Sequence, residues 1–440
     1  MPRIGLGLGL DQFGGGGSAI DADALAYINA LSADGYPLEA PEQTYINTLV
    51  TDFKSAGIWS KMKAIYPYCT SQRNLIGYSE DFGNASWNKV GTTTITTNVV
   101  TAPNGTMTAD RFQASASNRC CVYQTCYIPS TIGLVYNFSI YAKVTSGTQQ
   151  FRIGADQSCG NPAGGKIVTV TTDWQRFDVT LTSPTTSGFL NVFFDNITNN
   201  TTLCTGTTID SDIYIWGAQL ELGSTATTYQ PVATTASTIF ASQFKYNLKD
   251  PRNLDAAFRQ VFNGGWTYSK QGATPNGTNG YSDTKLVPSS VLQLNSVSHS
   301  VYSRSASPTG IVGGVNDASN YLILNTPTTL SITSQLNTIG GDFITGVVTN
   351  LQGLLMANRT SSSVVNAWRN STKVATDSKN STSQPTINYF VGARNNGGSA
   401  GNFDAKQYGF YHIGDGLTDT EASAMYTSVQ SYQTSMNRQV

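Results

Sequence analysis

Val135-Tyr-Asn-Phe-Ser-Ile-Tyr-Ala-Lys143 alternates apolar and polar side chains with a period of two, the pattern of a strand with one face in a core. Lys166-Ile-Val-Thr-Val-Thr171 and Ile213-Tyr-Ile-Trp216 repeat it, and turn signals such as Pro103-Asn-Gly105 and Thr145-Ser-Gly147 separate such segments. Short alternating strands divided by Gly, Asn and Pro are the spacing of a β-sandwich. A second strand-rich region begins near Phe240 and reaches about Gly416, with Tyr321-Leu-Ile-Leu324, Ser363-Val-Val-Asn-Ala-Trp368 and Tyr408-Gly-Phe-Tyr-His412 as its clearest strands. Sustained helical periodicity is expected only near the two ends.

Composition agrees with this reading. The 440 residues are 39% hydrophobic and only 12% charged, about half the charged share of roughly 25% in ordinary globular chains. Ser, Thr, Asn and Gly must therefore face water, and Thr-rich, aromatic-rich sequence fits a pleated surface. A chain of this length suits two domains of roughly 150–200 residues plus smaller elements. With 26 Lys+Arg against 27 Asp+Glu, a net charge of -1 and no basic run, nothing attracts a polyphosphate, so no nucleic-acid partner is expected. No stretch approaches the ~18–20 apolar residues of a membrane span, and membrane insertion is not expected. The apolar run opening at Met1 is shorter and more Gly-broken than a signal peptide's core. Synthesis in the cytoplasm without export by that route is expected.

Residues 1–18 alternate Gly with Ile4, Leu6, Leu8 and Leu10 and end in Gly14-Gly-Gly-Gly17. Such a segment has no core of its own. It is read either as an arm lying extended on another protein, its aliphatic side chains in small pockets, or as a tail. Two helices follow. Asp21 can cap the first, with Ala24, Leu25, Ile28 and Leu31 on one face; Pro41 and Glu42 open the second, with Ile46, Leu49, Val50 and Phe53 at helical spacing and Gly57 placed to end it. This stripe must bury against a sandwich or a neighbouring subunit, because the pair is too small to fold alone. At the other end Thr418 and Glu421 form a capping box ahead of Ala422, Met425, Val429, Tyr432 and Met436.

Asn74-Leu-Ile-Gly-Tyr-Ser-Glu-Asp-Phe82 with Trp87, Thr108-Ala-Asp-Arg111, Phe138-Ser-Ile-Tyr-Ala-Lys143, Trp174, Trp216-Gly-Ala-Gln-Leu-Glu-Leu-Gly223 and Ser224-Thr-Ala-Thr-Thr-Tyr229-Gln-Pro231 together resemble the jelly-roll carbohydrate-binding modules of phage virion proteins. Trp216 itself alternates with Ile213 and Ile215, which favours a core or rim position over a ligand platform. Farther on, Asp250-Pro-Arg-Asn-Leu-Asp-Ala-Ala-Phe258, Phe262-Asn-Gly-Gly-Trp266, Pro275-Asn-Gly-Thr278, Tyr302-Ser-Arg304, Asn358-Arg-Thr360 and Leu417-Thr-Asp-Thr-Glu421 resemble the laminin-G and concanavalin-like sandwich of phage structural proteins. In chains of that kind a motif like Met62-Lys-Ala-Ile-Tyr-Pro67 runs almost directly into one like Tyr246-Asn-Leu-Lys-Asp-Pro251. Here residues 68–245 intervene, which implies an inserted jelly roll.

The expected fold is therefore mainly β: two β-sandwich (jelly-roll) domains, a short N-terminal helical segment and a C-terminal helix. The expected division is a Gly-rich virion-anchoring arm at 1–18, a helical pair at 19–69, an inserted carbohydrate-binding-module-like jelly roll at 70–238, and a concanavalin- or laminin-G-like sandwich with its helix at 239–440. The resemblance implies a fibre or decoration protein of the virion, contacting capsid or tail proteins through the arm and host or mucosal glycans through the sandwiches. By analogy with phage fibres, a homotrimer is expected, with Ile46, Leu49 and Phe53 at the subunit contact.

A sugar site needs an aromatic plane and a few polar partners. Trp87, Tyr123 and Tyr268 are the candidate planes and Arg152 and Asp156 the candidate partners, although packing accounts for each as well. Catalysis finds less support. Retaining glycoside hydrolysis needs two carboxylates about 5–5.5 Å apart, yet Glu39, Glu42, Glu80, Glu221 and Glu421 are the only glutamates and none is expected within a strand of the last domain. Asp415 and Asp419 fall at a turn and a helix start. His412 has no Cys or elbow Ser beside it, and no GxxxxGK motif occurs. Cys69, Cys120, Cys121, Cys126, Cys159 and Cys204 form no CxxC, and His299 and His412 are distant, so no metal and no cofactor are expected. A soluble lectin or adhesin is the alternative function, and an enzyme degrading polysaccharide the third.

Overall fold

A computed structural model describes residues 19–127, 133–158, 161–183, 189–199, 206–306, 310–318, 320–327 and 329–440. The arm residues Ile4, Leu6, Leu8 and Leu10 lie outside the described residues. The molecule is mainly β, with four sheets. Among the described residues their pairings are antiparallel except for Gly314–Asn316 with Arg394–Asn396, which is parallel.

The middle of the chain makes two five-stranded sheets. One runs in the order Asn88–Val90, Cys121–Tyr127, Phe189–Asp195, Gln149–Ser158, Asn161–Val170, the other Thr93–Val100, Ala109–Ala114, Ser211–Leu222, Val135–Lys143, Gln175–Thr182. Alternation sets their inner faces: Phe138, Ile140, Ile213 and Ile215 from one meet Val122, Phe151, Ile153 and Phe194 from the other. The motif residues close this sandwich. The Asn74 side chain accepts from Ile76 N and Leu220 N and donates to Ala218 O and Gln230 O. Glu221 accepts from the Thr227 amide and hydroxyl and from Gln219 Nε2. Trp216 is buried on the outer side, 4.6 Å from the Tyr229 ring centre, and its Nε1 donates to Thr108.

The remaining sandwich packs an eight-stranded sheet on a nine-stranded one. Strands Val297–Ser303, Gly353–Arg359 and Tyr408–Gly414 of the first are buried at every position, because this sheet is covered on both faces. On one side Val301, Leu355 and Ile413 meet Val315, Leu322, Leu324 and Ile332 of the second sheet. On the other, Tyr302, Leu354, Met356 and Phe410 lie under the helices Ala22–Ala33, Ala40–Ser55 and Asp419–Ser435.

The helices form where local signals place them. The Asp21 side chain accepts from Asp23 N, and both halves of the Thr418–Glu421 capping box are present. Tyr27 takes the place expected of Leu25, which is exposed. Ile46, Leu49 and Phe53 correct the expectation of a subunit contact. All three are fully buried inside this chain, with the Phe53 ring edge-on to Phe410 at 6.4 Å. The apolar stripe is thus satisfied by the chain's own sheet and leaves nothing for symmetry mates to cover. Helices are not confined to the ends either, since Ala236–Phe244 is helical with Thr235 as its cap.

Strand Met62–Tyr66 pairs with Tyr408–Gly414, Ile65 O accepts from Leu248 N at 2.8 Å, and the Tyr68 and Phe244 rings are 5.3 Å apart. The chain thus leaves the larger unit after Thr70, whose hydroxyl donates to Gln243 Oε1 at 2.5 Å, and rejoins it beside its point of departure.

Candidate functional site

The sequence candidates do not make one site. Trp87 is only 1% exposed, packed at 4.9 Å against Phe82 and near Phe194, with Nε1 donating to Tyr78 O. It is a core residue and not an open plane, because it is packed among Phe82, Phe194 and the rest of the inter-sheet core just before strand Asn88–Val90. Tyr268 belongs to the other sandwich, half-buried and stacked on Trp266 at 6.3 Å, with Phe262 edge-on.

Tyr123 and Arg152 do share the outer face of one sheet of the smaller sandwich, as the register Tyr123↔Phe193 and Arg152↔Asp195 shows. The side chain of Asp156 lies outside the described residues. Arg152 is buried and donates Nη2 to Asp195 at 2.6 Å, and Arg119 reaches the same carboxylate at 3.0 Å. The two guanidinium groups lie 5.4 and 5.6 Å from the centre of the Phe193 ring. A buried carboxylate held by two arginines is a structural clasp, so Arg152 is engaged where a free sugar contact was expected. Tyr123 remains half-buried beside Phe193 and Cys121.

An open groove lies instead on the outer face of the nine-stranded sheet, with a volume of about 390 Å³. Its floor is Ile311, Ile323, Asn325 and Gln335, which neighbouring strands bring side by side through the register Ile311↔Asn325 and Ile323↔Gln335. One rim is the turn after strand Ser331–Thr338. There Gln335 Nε2 donates to Ile339 O at 2.8 Å, and Phe343 stands 44% exposed. The other rim is Asn402 and Phe403, fixed by Ile311 N donating to Asn402 O at 3.0 Å. Gly310 permits this approach: it has φ +61, and a Cβ there would lie 2.2 Å from Phe403 O. Behind the rim a buried pair, Lys406 and Asp404 at 3.1 Å, holds the segment, with Tyr408 donating to Asp404.

Two polar side chains in this groove have unmet demands. Gln335 is 1% exposed and its Oε1 has no hydrogen-bond donor, and Arg394 Nε is buried without an acceptor. Leaving such atoms unpaired in a folded protein costs roughly 1–3 kcal/mol each, which a ligand can recover. Among the described residues the lining contains three aromatic residues, Tyr321, Phe343 and Phe403, and no Asp or Glu. Sequence reading does not single out Gln335, Phe343 or Arg394. Tyr321, Ile323 and Asn325 alternate as one strand face, but only strand order says that Arg394 joins them.

The groups that could carry chemistry are occupied elsewhere. His299 and His412 are buried and held down to about 3 by desolvation, with Tyr389 hydrogen bonded to His299 Nδ1 at 2.7 Å and Ser300 to His412 Nδ1 at 3.0 Å. Glu421 caps its helix and pairs with Lys61, and Asp415 pairs with Lys63. Burial pushes the Cys69 thiol up to about 12. Among the described residues no group of three or more His, Cys, Asp or Glu side chains is arranged to hold a metal, and no helix is long and apolar enough to cross a membrane.

Fold and groove together define a mainly β protein of two sandwiches with a concave, aromatic-rimmed cleft. No protein-family model matches the chain, and a search of curated proteins finds no relative. Among solved structures it is similar to the enzymatically active domain of tailspike protein 4 of bacteriophage CBA120, at 19% identity over 35% of this chain and 22% of that one, TM-score 0.27. It is also similar to the module TmCBM61 in complex with β-1,4-galactotriose, at 14% identity over 34% of this chain and all, 100%, of that one, TM-score 0.26. The CBM22-1 xylan-binding domain from Paenibacillus barcinonensis Xyn10C gives 13% identity, 36% and 100% coverage and TM-score 0.27. The chain spans about a fifth, 22%, of the tailspike domain. At this level of identity and superposition these likenesses assign neither ligand nor activity.

Proposed function

We propose that the protein is a non-enzymatic structural component of a phage particle surface, a fibre or decoration held through its N-terminal segment, and that it contacts glycans through the groove of its larger sandwich. The observation carrying the glycan reading is the groove's composition: an exposed aromatic rim over a floor with unmet hydrogen-bonding demands. That combination suits a sugar, which offers an apolar ring face and hydroxyl donors together. A lining without carboxylates favours holding over hydrolysis, since glycosidases commonly work with two. The particle role is supported by the motif resemblance to phage virion proteins and by a nearly neutral, amide- and hydroxyl-rich surface.

The reading is tested on a glycan array with the purified full chain. Binding that drops at least about tenfold in Phe343→Ala, with unchanged melting, is the expected result, since one aromatic contact contributes on the order of 0.5–1.5 kcal/mol beyond its buried area. Absence of binding to every glycan, or binding indifferent to Phe343, sinks the groove assignment. A particle reconstruction showing density for this chain is expected. Glycan binding with no such density would instead make it a soluble adhesin.

A further inference from the structure

Among the described arginines, Arg394 alone has a side chain with neither an ion pair nor a hydrogen bond; Arg176, Arg304, Arg359, Arg369 and Arg438, which also lack ion pairs, all donate to oxygen acceptors. It stands in the groove lining, on strand Arg394–Asn396 opposite Gly314. The acidic residues flanking the lining are already engaged. Asp342, next to Phe343, is paired with Lys379 at 2.9 Å, and Asp404, next to Phe403, with Lys406 at 3.1 Å. Among the described residues, the groove therefore holds a cation with no anion of its own.

A second side chain of the lining, on another strand, narrows the ligand further. The amide of Gln335 is fixed by the bond from Nε2 to Ile339 O, which leaves Oε1 as an acceptor awaiting a donor. A ligand that satisfies the lining must supply an anionic group to Arg394, a hydroxyl donor to Gln335 and an apolar face to Phe343. A planar carboxylate suits the planar guanidinium, whose Nε–H and neighbouring Nη–H can donate in parallel. We infer that the groove selects an acidic sugar, one whose ring carries a carboxylate, with Arg394 as the residue that determines the selection. This rests on the groove being the glycan site.

The experiment uses the full chain, titrated calorimetrically with a panel of oligosaccharides containing hexuronic or sialic acid units, each beside its own methyl ester. Esterification keeps the ring and removes the charge. The acid forms are expected to bind on the order of tenfold tighter than the esters, with the advantage shrinking as salt rises. Arg394→Gln should remove that preference, so that each acid and its ester bind alike, and Arg394→Lys should restore part of it. Esters binding as tightly as acids, or neutral glycans alone binding, overturns the inference and leaves the glycan reading standing. No binding of any sugar overturns both. A preference that survives in Arg394→Gln assigns the selection to another residue and equally overturns the inference.

Discussion

Gly313 shows how closely single side chains in the larger sandwich depend on one another. A Cβ there would lie 2.0 Å from the Tyr411 hydroxyl and 2.8 Å from that of Tyr389, whose oxygens are hydrogen bonded to each other at 2.7 Å. Gly313→Ala is thus expected to destabilise by about 1–3 kcal/mol, the usual cost of overpacking, read as an earlier denaturant midpoint. An unchanged midpoint would mean that the tyrosines shift without cost. The same chain of hydroxyls ends on His299, and burial sets its protonation. His299 and His412 are held down to about 3 when folded, against roughly 6.5 in an unfolded chain. The unfolded state binds more protons between these values, so the stabilising contribution is complete above about 6.5 and is lost as pH falls toward about 3. Asp110, pushed up to about 6 by burial in the smaller sandwich, acts in the opposite sense. Melting temperature should fall from pH 6.5 to 4.5, and less steeply in His412→Gln, where Asp110 is unaltered. Equal slopes in variant and parent would show that His412 is not buried neutral.

At the scale of elements, the helix Ala40–Ser55 is decided by what it covers. Its stripe of Ile46, Leu49, Val50 and Phe53 packs on Phe410, Leu354 and Met356 of the chain's own sheet. Leu49→Ser with Phe53→Ser should lower the chain's own stability, by at least ~3 kcal/mol from the two buried side chains together, measured as a fall in melting temperature that is independent of protein concentration. A concentration-dependent change, with subunits separating while the sandwiches stay folded, would return these residues to a subunit contact. The strand face Tyr321, Ile323 and Asn325 illustrates the complementary limit. Its alternation is readable along the chain, whereas Arg394, two strands away in the same groove, arrives through the parallel pairing of Arg394–Asn396 with Gly314–Asn316.

For the whole molecule, the consequential feature is the strand Met62–Tyr66, paired to Tyr408–Gly414 across almost the full length of the chain. The smaller sandwich emerges between Thr70 and Gln243, whose side chains are hydrogen bonded. If it is an insertion, as the sequence resemblance implies, removing roughly residues 71–240 and bridging with a short linker leaves a chain that folds, because neighbouring ends make the closure entropically cheap. The expected product is soluble and melts cooperatively. Aggregation with every linker tried would mean that contacts such as Arg73 with Glu39 and Ser71 with Glu42 are needed for the larger unit to form.

What the sequence determined by itself was whatever depends on near neighbours: the period-two strands, the caps at Asp21 and Thr418 and the stripe of the second helix. These are set by local backbone geometry and side-chain alternation, which do not wait for the fold. The tertiary structure decided which aromatic residues stay open and which charges find partners. Trp87 is a candidate plane along the chain and Phe343 is not, yet Trp87 is enclosed between two sheets and Phe343 stands on a rim. Arg152 and Arg394 are both strand arginines, but strand order gives one a buried aspartate and the other a groove without an acid. Exposure and pairing arise between residues far apart in sequence, and only the arrangement of the sheets brings those residues together.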